Sequence, residues 1–158
     1  MTLEVGQKVP AFTLETEAGD SFSIITALQS GAVLLVFYPG DFTPVCTKQL
    51  CGYRNAHDEF KRLGIQVVGI SADDAEKHQR FKAQHVFPFP LLTDPGKRLA
   101  RSFGLTSKFM FGAVSRANVL LARDGTVLYK QVEAVALTYR SSGEILKILA
   151  EFKASGKI

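Results

Sequence analysis

The fold is constrained most strongly by two apolar runs rich in β-branched residues, GAVLLVFY at residues 31–38 and IQVVGIS at residues 65–71. A strand that is apolar on both faces is buried on both, which is typical of parallel sheets covered by helices. Between the runs, apolar residues recur every three or four positions from Val45 to Leu63, and Gly64 follows them, so one helix is predicted there. The segment DDAEKHQRFKAQH predicts a second helix, opened by acidic residues. The order strand, helix, strand, helix indicates an α/β protein.

The remaining segments predict short strands, helices and two hairpins. PAFTLET and SFSII flank the turn signal EAGD and predict an N-terminal hairpin or extended arm. FPFPLLTD predicts a short strand, and GKRLARSFG predicts a short helix ending at Gly104. ANVLLARDGTVLYKQVE carries two apolar runs around Asp124 and Gly125, a strong hairpin signal, and SSGEILKILAEFKAS predicts an amphipathic helix. We therefore expect a single domain over residues 1–158, with a central mixed β-sheet flanked by helices.

Composition and charge narrow the classes of function. The formal net charge is +4, but the basic residues are scattered among acids, as in HDEFKRLG, so no nucleic-acid partner is expected. No run approaches the roughly 18 apolar residues of a membrane span, and MTLEVGQKVP lacks the basic and apolar regions of a signal peptide. We therefore expect a cytoplasmic protein with no membrane partner. In a reducing compartment, a sparse pair of cysteines is more often catalytic or redox-active than structural.

Both cysteines lie in the stretch FYPGDFTPVCTKQLC at residues 37–51. Thr43 is a favoured N-cap and Pro44 a favoured first helical residue, which places Cys46 at the third position of a helix. Unpaired backbone N–H groups and the helix dipole favour negative charge there, so the Cys46 thiol is placed to ionise. Asp41 would oppose ionisation if its carboxylate pointed inward. A cation from elsewhere in the chain is therefore required.

Local reasoning leaves other roles open for these residues. Cys46 and Cys51 could be inert core residues of a buried helix, although α/β proteins place their sites in loops after the carboxyl ends of strands. Neither a metal nor a cofactor is expected, because Cys-x4-Cys with His57 lacks the spacing of zinc ligands. We expect His78 and His85 to be solvated helix residues.

The stretch resembles the active-site segment of the peroxiredoxins, whose pattern Pro-x-x-x-Thr/Ser-x-x-Cys is met by Pro39, Thr43 and Cys46. The second cysteine, in CTKQLC, is similar to that of the Q-type branch, also called bacterioferritin comigratory proteins. The resemblance extends from GQKVPAFTLET through VVGISADD and FPLLTD to RANVLLARDGTV, and it departs from the family at Asn118, where Ser or Thr is usual. It implies a thioredoxin-like fold with an N-terminal hairpin extension, and the reduction of hydroperoxides.

The resemblance also implies a role for each of five residues. Cys46 matches the peroxidatic cysteine, and Cys51 matches the resolving cysteine that forms an intramolecular disulfide with it. Arg116 matches the active-site cation, Thr43 would polarise the peroxide bond, and Pro39 would shield the oxidised sulfur. The expected partners are a hydroperoxide and a thioredoxin or glutaredoxin-like reductant, and the expected assembly is a monomer or weak homodimer.

Two competing functions stay open at this point. A thiol–disulfide oxidoreductase acting on proteins would typically carry Cys-x-x-Cys, which this chain lacks. A non-catalytic redox sensor or holdase-like protein with the same fold would consume peroxide stoichiometrically rather than catalytically.

Overall fold

The computed structural model describes residues 2–106, 112–133 and 138–158. Its strands are β1 Thr13–Thr16, β2 Ser21–Ser23, β3 Ala32–Phe37, β4 Ile65–Ser71, β5 Leu91–Thr93, β6 Ala117–Leu121 and β7 Val127–Val132. The α-helices in the described residues are α1 Ile24–Ser30, α2 Pro44–Asn55, α3 His57–Arg62, α4 Ala75–His85, α5 Arg98–Ser102 and α6 Ser142–Ala154.

The strands form one mixed sheet in the order β2-β1-β5-β4-β3-β6-β7. β3, β4 and β5 are parallel neighbours, as expected for the two apolar runs and the strand after them. The hairpin predicted around Asp124 and Gly125 is formed by β6 and β7, and β6 pairs antiparallel with β3. The N-terminal hairpin of β1 and β2 joins the opposite edge through β5. The α/β prediction is therefore confirmed, with an antiparallel hairpin at each edge.

β3 is buried along its whole length because both faces of the sheet are covered. Side chains alternate along a strand, so Leu34 and Val36 enter a core on one face, while Val33 and Leu35 enter a core on the other. The first core contains side chains from four helices, represented by Leu50 of α2, Phe60 of α3, Phe81 of α4 and Leu149 of α6. The second core contains Leu28 of α1 and Ala100 of α5.

The single helix predicted over residues 45–63 is two helices. α2 ends at Asn55 and α3 begins at His57, with Ala56 between them. Gly52 and Asn55 are poor helix formers, and the acidic residues in the first turn of α3 favour a new helix N-terminus. The apolar spacing continues across the break, which is why periodicity alone predicted one helix.

The segment SFSII was predicted as part of a strand, but the strand ends at Ser23 and a helix begins at Ile24. The Ser23 hydroxyl accepts the N–H of Thr26 at 3.4 Å, which caps α1. Ile24 favours a strand locally, but as the first residue of α1 it is fully buried. None of the helices in the described ranges is long and apolar enough to span a membrane.

Candidate active site

The loop that follows β3 delivers the chain into the first turn of α2. Thr43 is the N-cap of α2, Pro44 is its first residue and Cys46 its third, as the sequence predicted. The Thr43 side chain makes no capping hydrogen bond, because its hydroxyl donates to the carbonyl of Gly40 at 3.1 Å. Pro39 is half-buried at the start of the loop. The loop therefore closes on itself and leaves the first-turn N–H groups of α2 to other partners.

Arg116, the cation expected beside Cys46, contacts its sulfur. Its Nη1 donates to Cys46 Sγ at 2.6 Å, and both residues are buried. Arg116 immediately precedes β6, and β6 lies beside β3, so the sheet brings together two residues that are 70 positions apart in sequence. A buried guanidinium this close to sulfur can donate a hydrogen bond to it and stabilise negative charge nearby.

Gln49 is a buried member of the site that sequence reasoning missed. Its Oε1 accepts from Arg116 Nη1 at 3.2 Å, so one guanidinium nitrogen contacts both the thiol and an amide. Gln49 lies one helical turn after Cys46, and residues three apart share a helix face. The spacing of three residues between Cys46 and Gln49 was the sequence signal that could have identified Gln49 as a member of the site.

Two buried side chains, Tyr38 and His78, hold the Asp41 carboxylate beside the site. Asp41 is buried, and its carboxylate accepts from the Tyr38 hydroxyl at 2.6 Å and contacts His78 Nδ1 at 2.6 Å. His78 Nε2 lies 3.1 Å from the carbonyl of Leu92, which can only accept, so Nε2 carries a hydrogen. The other ring nitrogen, Nδ1, faces Asp41, so the carboxylate is held between Tyr38 and His78.

The expectation that His78 is solvated is wrong. Its side chain is fully buried on the inner face of α4, where Asp41 and the carbonyl of Leu92 satisfy both ring nitrogens. The sequence around it, DDAEKHQRFKAQH, is strongly polar, and only the packing of α4 against the loop determines which face is covered. A histidine buried with both nitrogens bonded is stable in such a position.

Asp73 anchors the backbone of the loop. Its Oδ2 accepts the N–H of Asp41 at 2.6 Å and the Ser71 hydroxyl at 3.1 Å, and its Oδ1 accepts from Lys77 at 3.1 Å. Burial raises the pKa of Asp73, but these hydrogen bonds outweigh it and leave the pKa below its ordinary value. Asp41, Asp73 and His78 have potential ligand atoms within 4.8 Å of one another, the geometry of a possible metal site. The same atoms are engaged in the hydrogen bonds above, and we treat the three residues as the anchor of the loop.

Two buried tyrosines complete the surroundings of the site as hydrogen-bond donors. Burial, reinforced by the charge of Asp41, raises the pKa of Tyr38, and burial also raises the pKa of Tyr53. Both hydroxyls therefore keep their protons. Tyr53 donates to Asn118 Oδ1 at 2.7 Å, and Asn118 Nδ2 donates to Gln131 at 3.0 Å. The Asn118 amide thus links Tyr53 of α2 to Gln131 of β7. The shorter side chain of Ser or Thr would reach both partners less easily.

Cys51 lies in the same helix as Cys46, on a different face. It is half-buried, and its Sγ lies 3.8 Å from Nδ1 of His85, the last residue of α4. Both cysteines are free. The structure therefore brings Arg116 to the Cys46 thiol, places Thr43 at the N-cap of the same helix, and keeps Cys51 beside α4. His85 is half-buried rather than solvated, and no sequence signal linked it to Cys51.

Sequence comparison finds relatives over most of the chain. Residues 5–130 match the AhpC/TSA family. A protein named Peroxiredoxin Q, chloroplastic, from Suaeda salsa is 39% identical over 123 residues, which are 77% of this chain and 56% of that protein. A protein named Putative peroxiredoxin bcp from Coxiella burnetii is 38% identical over 132 residues, which are 80% of this chain and 87% of that protein. The chain thus spans just over half the length of the first relative and most of the second.

Solved structures share the fold over nearly the full chain. Peroxidoxin BcpB from Mycobacterium tuberculosis superposes with a TM-score of 0.84 at 29% identity, covering 96% of this chain and 97% of that one. Peroxiredoxin Q from Xanthomonas campestris superposes with a TM-score of 0.79 at 28% identity, covering 92% of each chain. The thioredoxin-like fold expected from the sequence is therefore confirmed.

Proposed function

Because the chain belongs to the AhpC/TSA family, we propose that it is a thiol peroxidase that reduces hydrogen peroxide and organic hydroperoxides through Cys46. The observation that carries this proposal is the contact of 2.6 Å between Arg116 Nη1 and Cys46 Sγ at a buried helix N-terminus. A thiolate is the nucleophile in such chemistry, and a fixed guanidinium stabilises both the thiolate and the oxyanion that leaves.

In the first step, the Cys46 thiolate attacks one peroxide oxygen and the O–O bond breaks. The sulfur becomes a sulfenic acid, and the other oxygen leaves as water or an alcohol after taking up a proton. Arg116 stabilises the negative charge that develops on the departing oxygen. The Thr43 hydroxyl already donates to Gly40, so its oxygen is left to accept the O–H of the peroxide.

Two further residues support this step. Gln49 holds the Arg116 guanidinium through its Oε1, which fixes the direction from which charge is stabilised. Pro39, half-buried at the start of the loop, limits the access of water to the sulfenic acid. A protected sulfenic acid survives long enough to react with a thiol.

In the second step, Cys51 condenses with the Cys46 sulfenic acid to form an intramolecular disulfide and water. This stops oxidation at a reversible stage, because further peroxide would otherwise give sulfinic acid. An external dithiol, thioredoxin or a glutaredoxin-like protein, then reduces the disulfide by thiol–disulfide exchange.

The test is peroxide consumption by the wild-type protein and two serine variants. Cys46→Ser should abolish the reaction, whereas Cys51→Ser should consume about one equivalent and stop at the sulfenic acid. Turnover with NADPH, thioredoxin reductase and thioredoxin, compared with a glutaredoxin system, identifies the reductant. Multiple turnovers by Cys46→Ser would reverse the assignment, and stoichiometric consumption by wild type with every reductant would favour the sensor function.

We propose further that the protein works in the cytoplasm as a monomer or weak homodimer. A reducing compartment supplies the thiol reductants that would return Cys46 and Cys51 to thiols after each turnover. Cell fractionation and sedimentation of the reduced protein test these two expectations.

A further inference from the structure

The surroundings of Cys51 contain a cysteine–histidine pair that the steps above do not use. Cys51 Sγ and His85 Nδ1 are 3.8 Å apart, within the range of a sulfur–nitrogen hydrogen bond. The pair joins α2 to the end of α4, 34 positions along the chain. An imidazole at this distance from a thiol is a general base if its facing nitrogen is unprotonated.

The His85 ring is held in this orientation by neighbours on both sides. It packs edge-on against Phe81, with 5.2 Å between ring centroids, and stacks on Phe87 at 5.5 Å. Arg54 of α2 donates to the carbonyl of His85 at 2.8 Å, which ties the backbone of α4 to the same helix that carries Cys51. The ring is therefore fixed by packing, and the hydrogen bond from Arg54 holds the end of α4 against α2.

We propose that His85 is a catalytic residue for the resolving step, in which it accepts the proton of the Cys51 thiol. This inference rests on the proposed peroxidase function. With its own hydrogen on Nε2, the His85 ring takes the Cys51 proton at Nδ1. The Cys51 sulfur then attacks the sulfur of the Cys46 sulfenic acid, the S–S bond forms, and the S–O bond breaks. The departing hydroxide takes up the proton and leaves as water, so Cys51 is oxidised as the sulfenic sulfur is reduced.

The structure separates the two thiols into two activating environments. Arg116 contacts Cys46 and would act in the peroxide step, whereas His85 contacts Cys51 and would act in the resolving step. A cation stabilises a thiolate permanently, while an imidazole removes a proton only when the thiol reacts. Each thiol is therefore activated by a different residue, and the two activations can be tested separately.

The two steps can be followed separately by rapid mixing with one equivalent of hydrogen peroxide, acid quenching and intact mass measurement. His85→Asn keeps a polar group near Cys51 but cannot take up a proton, and His85→Phe keeps the ring packing without a nitrogen. Both should form the disulfide about 100-fold more slowly, with Cys46 oxidation unchanged and partial rescue of His85→Asn by added imidazole. His57→Asn is the matched control, since no contact of His57 with either cysteine is found in the described residues, and it should behave as wild type.

A second measurement is independent of peroxide chemistry. In a Cys46→Ser background, Cys51 should react with iodoacetamide about 10-fold more slowly when His85 is replaced by Asn. Wild-type rates of disulfide formation in both His85 variants, or unchanged alkylation of Cys51, would overturn the inference. If peroxide fails to oxidise Cys46 in the wild-type protein, the proposed peroxidase function is wrong, and the alkylation rates still decide whether His85 activates Cys51.

Discussion

Replacing Gly52 by alanine should slow disulfide formation about fourfold to fivefold without changing the rate at which peroxide oxidises Cys46. The reason lies in α2, which holds both cysteines in one continuous helix over Pro44–Asn55. Five residues of helix rise about 7.5 Å and turn roughly 140°, which separates the Cα atoms of Cys46 and Cys51 by about 8.7 Å. A disulfide needs a separation below ~7 Å. The helix must therefore unwind before the sulfurs meet.

Alanine at position 52 stabilises the helical state without strain. A Cβ added to Gly52 would lie 3.6 Å from Ser142 Oγ and 4.0 Å from Ser142 Cβ, which are ordinary contacts. In a helix interior, alanine is about 0.8–1 kcal/mol more favourable than glycine. If residue 52 leaves the helix before the disulfide forms, that free energy is added to the activation barrier of disulfide formation in Gly52→Ala. The rate of disulfide formation then falls about fourfold to fivefold.

The unwound state should be rare in the reduced protein. Leu50 is fully buried, and exposing a leucine side chain costs about 1.5–3 kcal/mol. The disulfide then traps that state. Hydrogen exchange of residues 44–54 should therefore rise sharply on oxidation, while β3 stays protected in both redox states.

The assay is the quench and mass measurement of the resolving step. Gly143→Ala in α6 is the matched control, because its added Cβ would meet Ser141 Oγ at 4.0 Å and it lies outside α2. Gly143→Ala should resolve at the wild-type rate. An unchanged rate in Gly52→Ala, or equal exchange of α2 in both redox states, would refute unwinding through residue 52.

Three other perturbations follow from the site. Arg116→Lys should slow the peroxide step by at least about 10-fold despite conserving charge, because a lysine cannot donate from one planar group to sulfur and oxygen together; stopped-flow peroxide consumption measures this. Asp73→Asn should lower the free energy of unfolding at neutral pH, because the folded-state pKa of Asp73 is depressed and its stabilisation is present above the ordinary value of about 3.9. The difference from wild type should shrink as the pH falls through the folded-state pKa. Tyr53→Phe should cost about 1–3 kcal/mol in urea unfolding, because Asn118 Oδ1 loses its buried donor.

Each of these has an outcome that contradicts it. An unchanged peroxide rate in Arg116→Ala would show that the guanidinium has no part in the first step. A stability difference for Asp73→Asn that stays constant from neutral to acidic pH would show that its carboxylate charge is irrelevant. Wild-type stability of Tyr53→Phe would mean that water replaces the lost hydroxyl.

Local patterns were sufficient to predict most of the secondary structure. The apolar run of β3, the Asp–Gly turn between β6 and β7, and the N-cap at Thr43 each depend on a few neighbouring residues. The position of Cys46 in the first turn of α2 follows from the same local rules. Errors arose where neighbours favour one state and packing another, as at Ile24, which is β-branched yet begins α1.

The site itself depended on contacts that no local pattern encodes. Arg116 was predicted only through family resemblance, because nothing in GAVSR shows that its guanidinium lies 2.6 Å from a sulfur 70 positions earlier. The burial of His78 and the contact between His85 and Cys51 were not predicted at all. Helix and strand signals arise from interactions a few residues apart, so the sequence by itself determined the elements and the first turn of α2. Which polar side chains meet is decided by how the helices pack on the sheet, and only the tertiary structure determined the partners of the two thiols.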